Sequence, residues 1–161
     1  MSISDEFGLM TESWQQENNL PWARMRYETY RHNLLREICA KPLNILDVGG
    51  GTGEDSVYFA KQGHQVTLVD CSEKMLASAK ESAVNEDVDD RIEFFNIKAE
   101  SMLEILDSKS FDFILCHMMI EFVPDAERLL ARLCELLISG GMISIVDTNR
   151  FGDVYMEVFQ K

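Results

Sequence analysis

The chain has 161 residues with 28 acidic and 15 basic side chains, a formal net charge of −13. That length suits one soluble domain and not two, and the acidity disfavours unaided binding of a polyanion, which sets nucleic acid back as a partner without removing it. No charged start followed by an apolar block opens the chain and no apolar run approaches membrane-spanning length, so export, insertion and a membrane partner are not expected. Cys39, Cys71, Cys116 and Cys134 form no Cys-x-x-Cys pair and three of them sit in apolar runs; they read as reduced thiols of a cytoplasmic protein.

In chain order, residues 3–16 mix polar and apolar positions around Trp14, and Pro21 opens a helical segment to about residue 39 with Tyr27, Tyr30, Leu34 and Ile38 at helical spacing. Arg24, Arg26, Arg31, Arg36 and Lys41 thicken the basic charge there, mostly as a solvated face. Residues 1–41 are thus expected to form a helical cap on a core of 42–161. The core alternates strand 43–48, helix 54–62, strand 65–69, helix 73–84, strand 91–97, strand 111–116, helix 125–137 and strand 142–146. Alternation of this kind predicts an α/β domain, a parallel sheet with helices on both faces. In helix 125–137 the stripe Leu129, Leu130, Leu133 and Leu137 reads as core, and Ser139-Gly140-Gly141 reads as its glycine cap. A further helix-like start appears at about Asp153.

Two segments carry the chemistry. The run Ile45-Leu46-Asp47-Val48 ends in Gly49-Gly50-Gly51-Thr52-Gly53, and Gln65-Val66-Thr67-Leu68-Val69 ends on Asp70. Strand, glycine turn, helix, strand and terminal acid together form a nucleotide site. Gly49, Gly51 and Gly53 alternate and Glu54 stands where the dinucleotide fingerprint wants its third glycine, while no Gly-Lys-Ser/Thr follows for a phosphate loop. A pyrophosphate would also meet Asp47, Glu54 and Asp55 with no base between them and Lys61. A cation suffers no such repulsion. A ligand with a ribose for Asp70, an amine near Asp47 and a positive charge fits S-adenosylmethionine better than NAD.

The run from Ile45 to Gly53 resembles the first motif of class I S-adenosylmethionine-dependent methyltransferases, and Leu68-Val69-Asp70-Cys71-Ser72 with Met75 and Ala79 resembles their second strand and following helix. The likeness covers about residues 21–147. Leu46-Asp47-Val48-Gly49-Gly50-Gly51-Thr52-Gly53, Gly63-His64-Gln65-Val66 and Cys116-His117-Met118-Met119-Ile120-Glu121-Phe122-Val123 are together most similar to the bacterial tRNA 5-carboxymethoxyuridine methyltransferase subfamily. The resemblance implies a Rossmann-like doubly wound sheet of strand order 3-2-1-4-5, here without strands 6 and 7. It also implies that Gly49, Gly50 and Gly51 face the methionine and ribose of the cofactor, that Asp47 orders the loop and holds the amino group, and that Asp70 accepts from the ribose hydroxyls. Met75 packs on the adenine or simply fills the core. Ala99 and Glu100 would edge the adenine ring, His117 would lie under the methyl-bearing sulfur, and Arg26 would pair with the terminal carboxylate, with Arg24 as its competitor.

Methyl transfer needs alignment more than a catalytic triad, and none is visible. His117 or Glu121 is the candidate base if the acceptor must lose a proton. The acceptor is a small molecule or a modified tRNA uridine, with Trp14 and Trp22 either lining its pocket or buried against the domain. The rival readings are a module that binds S-adenosylmethionine without catalysis and, third, an NAD-binding oxidoreductase. Without the last two strands the strand 142–146 would be an open edge, so a homodimer through that edge, or else poor solution behaviour, is expected.

Overall fold

A computed structural model describes residues 3–38, 41–106 and 110–147; Cys39 and the helix-like start near Asp153 lie outside them. Helices α1 (Ile3–Asn18) and α2 (Pro21–Glu37) precede strand β1 (Asn44–Val48), and the chain continues through α3 (Glu54–Lys61), β2 (Gln65–Asp70), α4 (Glu73–Asn85), β3 (Ile92–Asn96), α5 (Met102–Leu106), β4 (Phe111–His117), α6 (Ala126–Glu135) and β5 (Leu137–Val146). The strands form one parallel sheet in the order β3-β2-β1-β4-β5. That is the order the resemblance implied. It places β1 between β2 and β4, so the glycine turn after β1 sits at the crevice where the chain direction of crossovers reverses.

The period of two along β1 sorts its side chains. Ile45 joins Phe59, Leu68, Leu76 and Leu115 on the face covered by α3 and α4, whereas Leu46 and Val48 join Met102, Leu106, Leu129 and Leu133 on the face covered by α5 and α6. Burial on both faces explains why the strands read as apolar runs, and each such side chain contributes about 1.5–3 kcal/mol on leaving water. Asp47 shares the Ile45 face and is buried among those residues at the carboxyl end of the strand.

Most boundaries fall within a residue or two of the sequence reading, the short helix α5 was not expected, and the largest departure is at the end of α6. Helix α6 ends at Glu135, and Leu137, expected on its apolar stripe, begins β5 instead. Ser139-Gly140-Gly141 is therefore no helix cap. Phe111 pairs with Leu137 and Phe113 with Met142, so Asp112 of β4 alone stands opposite residues 138–141 of β5, which bulge out of the ladder, with Gly140 at φ +81° making the left-handed bend. Strand β4 also runs one residue further than expected and delivers His117 while still in register with Val146.

The N-terminal helices cross the carboxyl edge of the sheet. Phe7 of α1 meets Phe122, in the turn Ile120–Phe122, edge to face at 4.9 Å, and Gln15 hydrogen-bonds Ser78 of α4. Of α2 only Ala23 is fully buried, with Leu34 and Ile38 half-buried on the core below. This roof over the sheet thus rests on few apolar anchors.

Candidate functional site

Below that roof lies a cavity of about 430 Å³ at the carboxyl ends of β1, β2 and β4. Arg26, Asp47, Gly49, Gly50, Gly51, Asp70, Met75, Ala99, Glu100 and His117 all line it, so the residues singled out from the sequence are brought together in one place. Trp14 lines it as well. Trp22 does not; it is exposed on the outside of α2, within cation-π distance of Arg26.

The glycine loop forms the floor. The N–H of Gly49 donates to Val69 O at 2.8 Å, which folds the turn back onto β2. A Cβ at Gly50 would stand 2.8 Å from both Asp47 Oδ2 and Leu68 Cγ, so glycine is required there by close approach. Asp47 Oδ2 accepts from Ser56 Oγ at 2.7 Å, and burial, with the Asp55 charge adding to it, pushes its carboxyl up to about 7. Asp70 accepts from Gly51 N–H at 2.9 Å through Oδ2 and from Ser72 N–H at 2.7 Å through Oδ1. Each of its oxygens keeps a second lone pair for a ligand hydroxyl, and burial raises its carboxyl above the usual range against the pull of those two bonds. Ser72, not Asp70, caps α4, its Oγ accepting from Met75 N–H. Met75 is buried beneath Gly51.

The roof is polar where it meets the floor. Asp55, in the first turn of α3, accepts from Tyr30 Oη at 2.6 Å and from Arg31 Nε at 2.8 Å, and its Oδ2 lies 2.9 Å from His117 Nδ1. Burial acts to raise this carboxyl, but the His117 and Tyr30 hydrogen bonds and the Arg31 charge outweigh it and hold it below the usual range. His117 Nε2 completes the chain at 2.9 Å from Ser144 Oγ of β5. With Asp55 accepting only, Nδ1 donates to it, and Nε2 is engaged with the Ser144 hydroxyl. Both ring nitrogens are engaged.

The methyltransferase domain family matches residues 46–145. The chain belongs to that family. It is 34% identical over 119 residues to the tRNA 5-carboxymethoxyuridine methyltransferase of Escherichia coli (strain K12), an alignment covering 74% of this chain and 45% of that protein. It is 33% identical over 123 residues to the ubiquinone biosynthesis O-methyltransferase of Coxiella burnetii (strain Dugway 5J108-111), covering 75% of this chain and 50% of that one. The chain therefore spans about half the length of these curated relatives. The PH0226 protein of Pyrococcus horikoshii OT3 shares the fold at a TM-score of 0.74 and 24% identity, over 90% of this chain and 65% of that one.

In this methyltransferase domain the lining holds two buried polar atoms without a protein partner, Arg26 Nε and Thr52 Oγ1. Such atoms cost free energy unless a ligand or water satisfies them. Five lining carboxyl groups, on Asp47, Glu54, Asp55, Asp70 and Glu100, face two lining cations, Arg26 and Lys98. The set fits a ligand with a carboxylate for Arg26, hydroxyls for Asp70 and a positive centre elsewhere. The helix start at α3 is less bare than its sequence suggests, because Arg31 arrives from α2. Its Nε and Nη2 are spent on Asp55 and on Glu54 O, so no phosphate is served.

Sequence reading missed Tyr30, Arg31 and Thr52 as parts of the site, and took Asp55 only as one of the charges that would repel a pyrophosphate. Tyr30 and Arg31 looked like a core stripe and a solvated face of one helix, and only their meeting with Asp55, 25 and 24 residues away, reveals the link. Glu121 lies in the turn Ile120–Phe122, exposed and outside the cavity lining. Among the described residues no cluster suits a metal ion, Cys71, Cys116 and Cys134 are free thiols, and no helix is long and apolar enough to cross a membrane.

Proposed function

We propose that this methyltransferase domain binds S-adenosylmethionine in the cavity and transfers its methyl group to a small-molecule acceptor. The observation that carries the reading is the convergence, on one cavity, of a loop closed to side chains at Gly50, a ribose-type acid at Asp70 and an unpartnered buried guanidinium nitrogen at Arg26. When bound, the sulfonium supplies a methyl group already activated for direct displacement. The chain's residues then have to bind, align and exclude water. Arg26 would take the terminal carboxylate in a charge-assisted bond, Asp47 the amino group, Asp70 the ribose, and Ala99 and Glu100 the adenine edge. Asp47 and Asp70 also set a negative field where the cation must sit.

With Nδ1 of His117 held by Asp55 and Nε2 by Ser144, the ring takes an acceptor's proton only by giving up the Ser144 bond. That arrangement favours an acceptor that is already ionised, such as a carboxylate, over a phenol or amine needing a base. Net acidity and the consumption of Arg31 by Asp55 favour a small molecule. A modified tRNA uridine is the second reading, supported by the likeness to the Escherichia coli tRNA enzyme. Labelled-methyl transfer from S-adenosylmethionine, run against hypomodified tRNA and against a metabolite pool, decides between them. Label in the metabolite fraction alone supports the first reading, label in tRNA the second, and label in neither, with cofactor bound, a non-catalytic binding module.

Free thiols suit a reducing compartment, the cytoplasm. Strand β5 ends the described sheet and exposes Ile138, Met142 and Ile145 along it, which supports self-association through that edge. Light scattering of the full chain tests it: a dimer supports the edge contact and a monodisperse monomer refutes it.

A further inference from the structure

We propose that Asp55 is a positioning residue that clamps α2 over the cavity and thereby places the Arg26 guanidinium against the ligand's carboxylate. The role rests on the cofactor reading above.

Little else holds α2. Its N-terminus has no side-chain cap, its single fully buried residue is Ala23, and Trp22, Met25 and Leu35 are exposed. Against this weak apolar anchorage stands a dense polar one. Asp55 is 6% exposed and receives both Tyr30 and Arg31 of α2, while Arg31 Nη2 also donates to Glu54 O at 2.7 Å. The Tyr30 ring meets the His117 ring edge to face at 4.5 Å, and the Arg31 guanidinium lies over the rings of Tyr27 and Tyr58 at 4.7 and 4.3 Å. Asp55 thereby joins α2 to α3 and, through His117 and Ser144, to β4 and β5.

Arg26 is four residues before Tyr30, the spacing that puts the two one helical turn apart on the same side, while Arg31, the next residue along, lies about 140° round the helix axis from Arg26. Its guanidinium lies 5.1 Å from the Tyr27 ring, the same ring that Arg31 covers. Arg26 itself makes no bond through Nε, so nothing in its own hydrogen bonding fixes its height above the floor through that atom. The turn below it is fixed by Asp55. A carboxylate suits this task because it alone accepts from two or three donors at once without offering a proton to any of them. The Asp55 to Asn change keeps the size and removes that capacity, leaving Arg31 buried beside a neutral group.

The test is a double-mutant cycle on the full chain, with S-adenosylhomocysteine as the probe in calorimetry and hydrogen exchange of α2 as a second reading. Asp55→Asn is expected to weaken binding about tenfold and to speed exchange in α2, Arg26→Ala to weaken binding similarly, and the double variant to bind no worse than Arg26→Ala alone. Tyr30→Phe, which deletes one donor and keeps the ring, is expected to weaken binding about threefold, and it serves the cycle if Asp55→Asn does not fold. Effects of the two sites that multiply, or an Asp55→Asn chain that binds like the wild type, overturn the role while leaving the cofactor reading intact. A wild-type chain that does not bind S-adenosylhomocysteine overturns both.

Discussion

The floor and the roof of the cavity are built on different principles. The floor is backbone: Gly49 to Gly53 turn from β1 into α3 beside β2, the side chains of both strands being buried on both faces, and their N–H groups bond to Val69 O and to Asp70. The roof is a helix held by side chains, with Tyr30 and Arg31 reaching across to one carboxylate. A floor of this kind is preorganised and intolerant of added atoms, whereas a roof of this kind adjusts by rotating side chains at modest cost. The difference teaches where binding is decided and where it is tuned.

The sharpest way to break the comparison is Gly50→Ala. Its Cβ would press on Asp47 Oδ2 and Leu68 Cγ, each at 2.8 Å, so about 1–3 kcal/mol of stability should be lost by overpacking. Affinity for S-adenosylhomocysteine should fall roughly a hundredfold, an amount worth about 3 kcal/mol. Chemical denaturation and calorimetry read the two losses separately. Retention of affinity would mean that the loop does not approach the ligand.

Next comes Asp47, where the floor gives up stability for charge. Its folded value of about 7 lies above the ordinary 3.8, so its neutral form favours folding. That contribution is full below pH 4 and is lost as pH rises towards 7. Asp47→Asn should therefore raise the melting temperature by several degrees at neutral pH while weakening both the sulfonium ligand and its thioether product, which share the amino group, with the larger loss, roughly tenfold, for the sulfonium. In the wild type the preference for the sulfonium over the thioether should grow between pH 6 and 8 as Asp47 ionises. A preference independent of pH would remove Asp47 from contact with the positive centre.

The smallest effect belongs outside both regions. Glu121→Gln, in the exposed turn after β4, should leave methyl transfer within about twofold of the wild type, the ordinary result for a surface substitution. A large loss would show that this turn reaches the acceptor.

The floor was legible in the sequence because its parts are close together and of strong character. Four glycines in five positions after an apolar run, and an acid at the end of the next, specify strand, turn and crevice within residues 45–70. The roof was legible only as a helix. Its function depends on pairs far apart in the chain, Asp55 with His117 across 62 residues and Tyr30 with Asp55 across 25, and helical periodicity carries no information about such partners. Gly140 and Gly141 misled for a related reason. Glycine after a leucine stripe suits a helix end, but it suits a bulge equally, and the pairing of Phe111 and Phe113 with Leu137 and Met142 decides for the bulge.

Calorimetry of the wild-type chain with S-adenosylmethionine, S-adenosylhomocysteine and NAD decides which nucleotide the cavity takes. Saturable heat with both sulfur nucleosides, at a dissociation constant on the order of 10 μM, and none with NAD is the predicted result. Saturation by NAD with silence from the sulfur nucleosides would contradict it.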